Sequence, residues 1–297
     1  MEKIQSAIAK ARAARAAIQS GEEVRPVAPE KAAPQAEAPL VLPAAPVRAD
    51  DDHPDPAAVA AFWSALPGFA AAPGLLARGH VVTAAGGREA VPFDLMRTRL
   101  LQQMRANNWR RVAITSPGPA CGKSTIALNL AMSLARQPDL RTVLAEMDMR
   151  RPSLSRMLGL RSPQSFARVL EGLDPFASQA IRIGENMAIS TCHAPHRHSA
   201  ELLHSPTVAA ALDRIEAEYD PSIFIFDMPP MFVSDDAMAV MGRMDCVLII
   251  AAAESTKIKE IDRCERELAA QTNVLGVVLN KCRYTEDEGY GYDYYGG

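Results

Sequence analysis

Four groups of residues carry side chains whose types and spacing could do chemistry. The first is SPGPACGKST (116–125), where Lys123, Ser124 and Thr125 follow a turn rich in small residues. A chain that leaves a strand, turns tightly and opens a helix presents free backbone N–H groups to an anion. In that setting Lys123 would reach the outer phosphates of a nucleotide, and the Ser124 hydroxyl would ligate Mg²⁺. The stretch departs from GxxxxGK[ST], because Pro117 stands five before Gly122 and Gly118 comes one residue late. The nucleotide-binding loop is therefore read as Gly118, Pro119, Ala120, Cys121 and Gly122, leading into Lys123, Ser124 and Thr125.

The second and third groups are acidic strand ends. VLAEMDMRRP (143–152) places Glu146 and Asp148 two apart, with Arg150 beyond them, and IFIFDMPP (223–230) places Asp227 after another apolar run. One carboxylate after a strand is often a helix cap. Three that converge on one sheet edge describe a Mg²⁺–nucleotide site, where catalysis is chiefly positioning and charge neutralisation.

The fourth group is the C-terminus, CRYTEDEGYGYDYYGG. It holds five of the chain's six tyrosines: Tyr284, Tyr290, Tyr292, Tyr294 and Tyr295. Rings useful for packing are here crowded among glycines and carboxylates. A tyrosine hydroxyl has a pKa near ~10, so attack on a phosphate at neutral pH needs a carboxylate base. About ten residues beyond Asn280 span roughly 30 Å when extended, enough to reach a site on the same sheet edge.

These groups must be positioned by strands and helices. Apolar runs occur at 111–116, 142–148, 187–191, 222–227, 246–253 and 274–280, with helical segments at 123–137, 200–219, 235–243 and 256–271. Strands buried on both faces and alternating with helices predict a P-loop NTPase built on a mostly parallel, doubly wound sheet. Ligands bind such sheets at the strands' C-terminal ends. The stretch 91–108 also reads as a helix, with Leu95, Leu100, Leu101 and Met104 on one apolar side.

The rest of the chain divides by composition. Residues 1–20 predict a basic amphipathic helix, and 21–56 a proline- and acid-rich linker without enough apolar surface to fold. Residues 57–90 form an alanine-rich connecting segment, 91–282 the P-loop domain and 283–297 the tyrosine-rich tail. The uncharged run 57–77 is broken by Pro67-Gly68 and Pro73-Gly74, so a helix packed on the domain or a partner is expected rather than a span. The 297 residues carry a net charge of −3, which implies no nucleic-acid partner. Five scattered cysteines without a CxxC pair fit a reducing, cytoplasmic setting. Among the remaining clusters, His193, His196 and His198 lack a zinc spacing and read as a solvated loop.

The set resembles the bacterial tyrosine kinases of capsule and exopolysaccharide biosynthesis, of the CpsD/CapB type. The residues that carry the likeness are the Lys123 loop, the Glu146-to-Arg150 strand end, the Asp227 strand end and the tyrosine cluster. SAELLHSP (199–206) and Asp235-Asp236-Ala237 extend it. The resemblance implies a MinD/ParA-like fold and ATP with Mg²⁺. It implies autophosphorylation of the tail in the regulation of exopolysaccharide biosynthesis and export. It also implies a membrane adaptor or polysaccharide co-polymerase as partner, with a peripheral location at the inner membrane, and admits a tyrosine phosphatase and a homo-oligomer. It assigns Arg150 to the second strand-end signature, Lys123, Glu146, Asp148 and Asp227 to the catalytic set, and Ser124, Asp148 and Asp227 to Mg²⁺. Glu146 stands where the family has aspartate, the candidate base for the tyrosine hydroxyl. Of the family's ExxRxxR helix, which would fall on Val91, Asp94 and Arg97, only Arg97 persists. In NKCR (280–283), Arg283 cannot accept guanine N–H groups, which favours ATP over GTP. The competing expectation is a non-kinase or degenerate P-loop ATPase that serves as a nucleotide-gated scaffold.

Overall fold

A computed structural model describes residues 54–283. The expected helix at 1–20, nearly all of the 21–56 linker and the tyrosines of the tail lie outside the described residues. The strands are β1 Arg111–Thr115, β2 Thr142–Glu146, β3 Ile181–Ile183, β4 Met187–Ser190, β5 Ile223–Asp227, β6 Cys246–Ala252 and β7 Asn273–Asn280. The helices are α1 Pro56–Ala65, α2 Pro73–Arg78, α3 Val91–Ala106, α4 Lys123–Ala135 and α5 Leu154–Leu158. They continue with α6 Phe166–Leu170, α7 Ser199–His204, α8 Pro206–Tyr219, α9 Asp236–Met241 and α10 Ile258–Ala269.

All the strands join one sheet in the order β3-β4-β2-β5-β1-β6-β7. The pairs are parallel except β3 against β4, which is antiparallel. The alternation of side chains along each strand splits the core in two. Ala113, Val143, Phe224, Phe226, Val247 and Ile249 point to one face, where Leu212, Ile215, Cys264 and Leu268 of α8 and α10 cover them. Val112, Ile114, Leu144, Ile225, Leu248 and Ile250 point to the other, beneath Leu100, Met104, Ile126 and Leu130 of α3 and α4. Within α3, Leu100, Leu101 and Met104 are buried as expected, but Leu95 is 58% exposed. The expected helix 200–219 is divided at Ser205, whose hydroxyl accepts the Thr207 N–H at 3.2 Å while Pro206 opens α8. Proline fits a first turn because its missing N–H would have had no intrahelical partner.

Residues 56–83 are folded onto this domain as a strap. The Trp63 indole N–H donates to the Tyr219 carbonyl at 2.7 Å, and Phe62, Trp63 and Phe176 surround the buried Tyr219 ring. The strap then passes along the sheet's β3 edge: Phe69 N–H donates to Arg182 O at 2.7 Å and Arg182 N–H to Pro67 O at 2.8 Å. Short helix α2 packs on α5. Beyond it, Asn129 of α4 accepts the Val82 and Thr83 N–H groups at 2.9 and 3.2 Å and donates to His80 O at 2.8 Å. Among the described residues, no helix is long and apolar enough to cross a membrane.

Candidate nucleotide site

The sheet register builds the site. β1, β5 and β2 end side by side, with Ile114 opposite Asp227 and Glu146 opposite Asp227. The chain after β2 is pinned to β5, because the Met147 and Asp148 N–H groups both donate to the Asp227 carbonyl, at 2.9 and 3.0 Å. The expected carboxylates are therefore brought to one sheet edge.

After β1 the loop turns through left-handed backbone at Ala120 (φ 59°) and Gly122 (φ 91°), and α4 begins at Lys123. The demand for glycine falls on residue 122. A Cβ there would stand 2.3 Å from Asn280 Nδ2, whose amide donates to the Cys121 carbonyl at 2.9 Å. Gly118 has open space and no left-handed backbone, so its displacement by one residue from the usual motif costs the loop nothing. The Cys121 thiol is buried against the Gly118 carbonyl at 3.4 Å, as a small packed residue.

Lys123 is buried at the helix start, with Nζ 3.6 Å from Asp148 Oδ2. Burial pushes the Asp148 carboxyl above the usual range, and the Lys123 ammonium opposes the shift. Asp227 is wholly buried, and neither of its carboxylate oxygens has a hydrogen-bond partner among the described residues. Burial raises its pKa to about 6, against the pull of Lys123 and the nearby Ser124 hydroxyl. A buried carboxylate without donors beside a hydroxyl suits a hard divalent cation, which takes oxygen ligands. Ser124 and Asp227 thus fit Mg²⁺.

Glu146 is placed differently from its neighbours. Oε1 accepts the Ser153 and Leu154 N–H groups at 2.5 and 2.9 Å, and Oε2 accepts the Cys192 N–H at 2.8 Å. Its carboxyl is fully buried, and burial together with Asp227 pushes its pKa up to about 8 despite those donors. The extra methylene of glutamate carries the carboxyl to the start of α5 and the end of β4.

A cavity of about 890 Å³ opens over the loop, lined by Lys123, Ser124, Thr125 and Asp148 but not by Glu146. Arg150 also lines it, held by a two-pronged ion pair in which Nε and an Nη donate to Asp236 at 2.9 Å each. The Ser199 hydroxyl donates to the same carboxylate at 2.6 Å. Arg150, SAELLHSP and Asp235-Asp236-Ala237 therefore meet in one network. Sequence reading missed the strap's part in the site: Leu75, Arg78 and His80 also line the cavity. Among the histidines, His196 Nε2 lies 3.1 Å from Glu171 Oε1.

A family model described as ParA, NUBPL iron-transfer P-loop NTPase, matches residues 109–293. The chain belongs to this family. Within it, the chain is 28% identical over 209 residues to the putative tyrosine-protein kinase CapB of Staphylococcus aureus, covering 69% of this chain and 89% of that one. It is 29% identical over 189 residues to the putative tyrosine-protein kinase EpsB of Ralstonia nicotianae, covering 62% of this chain but only 24% of EpsB's length. The kinase domain of the Escherichia coli tyrosine kinase ETK superposes with a TM-score of 0.60 at 23% identity, over 69% of this chain and 80% of that one. The resemblance to bacterial tyrosine kinases and the expected ParA-like P-loop fold are both borne out.

Proposed function

We propose that the chain is an ATP-dependent protein-tyrosine kinase acting on its own C-terminal tyrosine cluster. The observation that carries this reading is the contact between Asn280, where β7 ends, and Cys121 in the phosphate-binding loop, at 2.9 Å. The tail is rooted at the nucleotide site, and Tyr284 follows only four residues after Asn280. The kinase names of the relatives support the same reaction.

Lys123 and the N–H groups of residues 118–125 would bind the β- and γ-phosphates. Ser124, Asp227 and Asp148 would hold Mg²⁺, which supplies charge neutralisation on the phosphates when bound. Asp148 is the carboxylate that lines the cavity, which supports it as the base that takes the tyrosine proton. As the proton leaves, the phenolic oxygen bonds to the γ-phosphorus and the bond to the β,γ-bridging oxygen breaks. ADP departs with that electron pair. Glu146, with both oxygens on backbone N–H groups, is a positioning residue that fixes the loop carrying Asp148 and Arg150. Arg150 acts likewise through Asp236. ATP is the nucleotide, since Arg283 offers no acceptor to guanine.

The setting follows from the same reading: regulation of exopolysaccharide biosynthesis and export, with a membrane adaptor or co-polymerase placing the kinase at the inner membrane. A tyrosine phosphatase would reverse the modification, and subunits would assemble in its absence. Incubation with Mg-ATP, with and without the adaptor, followed by phosphate mapping tests the proposal. Phosphotyrosine confined to residues 284–295 and lost in Lys123→Met is expected. ATP hydrolysis with an unmodified tail in both conditions would sink it.

A further inference from the structure

The nucleotide cavity carries more positive charge than a triphosphate site on this loop uses. Arg78, Lys123, Arg150, Arg151 and Arg156 line it, against a single lining carboxylate, Asp148. Lys123 pairs with Asp148, and Arg150 with Asp236. Arg78, Arg151 and Arg156 make no ion pair among the described residues, and all three are exposed. Arg78 ends α2 of the strap, Arg151 follows the second strand end, and Arg156 lies on α5. These elements are held together: α2 packs on α5, and a Cβ on Gly159 would meet the Leu75 side chain. The arginines thus form a basic wall on a rigid mount rather than a scatter of surface charge.

We propose that this wall is the docking surface for an acidic, tyrosine-bearing peptide, and that its occupant is residues 284–297 of this chain. The inference rests on the kinase reading above and adds how the acceptor is recognised. Residues 284–297 carry Glu286, Asp287, Glu288 and Asp293 and no cation, so their charge complements the wall. Their root lies at the same sheet edge, through the Asn280 contact with Cys121. The acidic stretch 21–56 is the other complementary segment, but it leads into α1, which packs beside Tyr219 just before β5 begins, at the opposite end of the strands. A cleft lined by one sign of charge concentrates ligands of the other sign, and does so less as salt rises. The strap, by supplying Arg78, becomes a specificity element of the active site.

The full chain with Arg78→Glu and Arg156→Glu provides the test. Tail phosphorylation at saturating Mg-ATP should fall about tenfold, a larger factor than any loss of ATP affinity measured on the same variant. Adding Glu286→Lys, Asp287→Lys and Glu288→Lys to that variant should restore most of the loss, an effect that a purely structural role would not give. Binding of a fluorescent peptide of residues 284–297, followed by anisotropy, needs no turnover and should weaken by a similar factor in the arginine variant. Unchanged phosphorylation and peptide binding would overturn the docking proposal. So would a loss of ATP binding as large as the loss of phosphorylation, failure of the charge swap, or preferential binding of a 21–55 peptide. Absence of phosphotyrosine in the wild-type chain, with intact peptide binding, would instead remove the kinase reading and leave the docking surface standing.

Discussion

The amide of Asn280 occupies the space in which residue 122 would carry a Cβ, 2.3 Å from its ideal position. The last strand of the sheet and the phosphate-binding loop are therefore fitted to one another at a single atom. Gly122 meets two demands at once, this contact and a left-handed φ of 91°.

Gly122→Ala should weaken Mg-ATP binding at least about tenfold, since both the clash and the backbone cost fall on the loop. Asn280→Ala in the same chain should recover part of that loss, because it removes the clash and leaves the φ penalty. Calorimetric titration of the two single variants and the double variant measures the coupling. Strict additivity would show that the contact does not shape the loop.

Lys123→Met should reduce phosphotransfer by at least about a hundredfold, as expected when a preorganised charge at the transferring phosphoryl group is lost. Unfolding followed by circular dichroism should remain cooperative, because methionine fills a similar volume. A variant retaining half the wild-type rate would exclude this lysine from the chemistry.

Glu146→Asp installs the residue that the resemblance to tyrosine kinases leads one to expect but shortens the reach to Ser153, Leu154 and Cys192. Leaving buried N–H groups without acceptors costs about 1–3 kcal/mol, so the urea midpoint should drop. Activity should not rise with the substitution. A more stable or faster enzyme would show that Glu146 does not hold the loop as described.

Asp94 ties α3 to α4. It accepts the Ser133 hydroxyl at 2.6 Å and two Arg136 N–H groups at 3.1 and 3.0 Å, and Arg97 lies 3.2 Å away. Its carboxyl sits below the usual range, because these partners outweigh partial burial. A depressed folded pKa contributes stability above the ordinary value near 3.8, lost as pH falls through the folded value. Asp94→Asn should therefore cost about 1 kcal/mol at pH 7 and a smaller amount at pH 3. Urea unfolding of both proteins at the two pH values reads the difference; an equal gap at both would rule out the ionised carboxylate as the cause.

The sheet was legible in the sequence because its parallel strands are buried on both faces, so RVAIT, IFIFD and CVLIIAA are continuous apolar runs. β3 was not, because three residues with an arginine at the centre carry no period. The strand-end carboxylates were legible as residues and as a shared edge. Their division of labour was not, since the diversion of Glu146 depends on N–H groups supplied by residues 153, 154 and 192. The strap was legible only as a helix packed on the domain or a partner: its alanines and prolines give little periodicity, and its anchors, the Tyr219 carbonyl, the Arg182 backbone and Asn129, lie far along the chain. Leu95 shows the reverse error, an apolar residue in helical register that the fold leaves exposed.

The strap also fixes where the protein can be cut. A recombinant fragment starting at Val91, where the alternation of strands and helices begins, would uncover the Tyr219 ring, free the backbone of Arg182 and deprive the Asn129 side-chain oxygen of the Val82 and Thr83 N–H groups. It would also delete one wall of the cavity while keeping every signature motif. Such a fragment would be recognised by any motif search and yet lack part of its own active site. A fragment that keeps these contacts has to begin at or before Pro56.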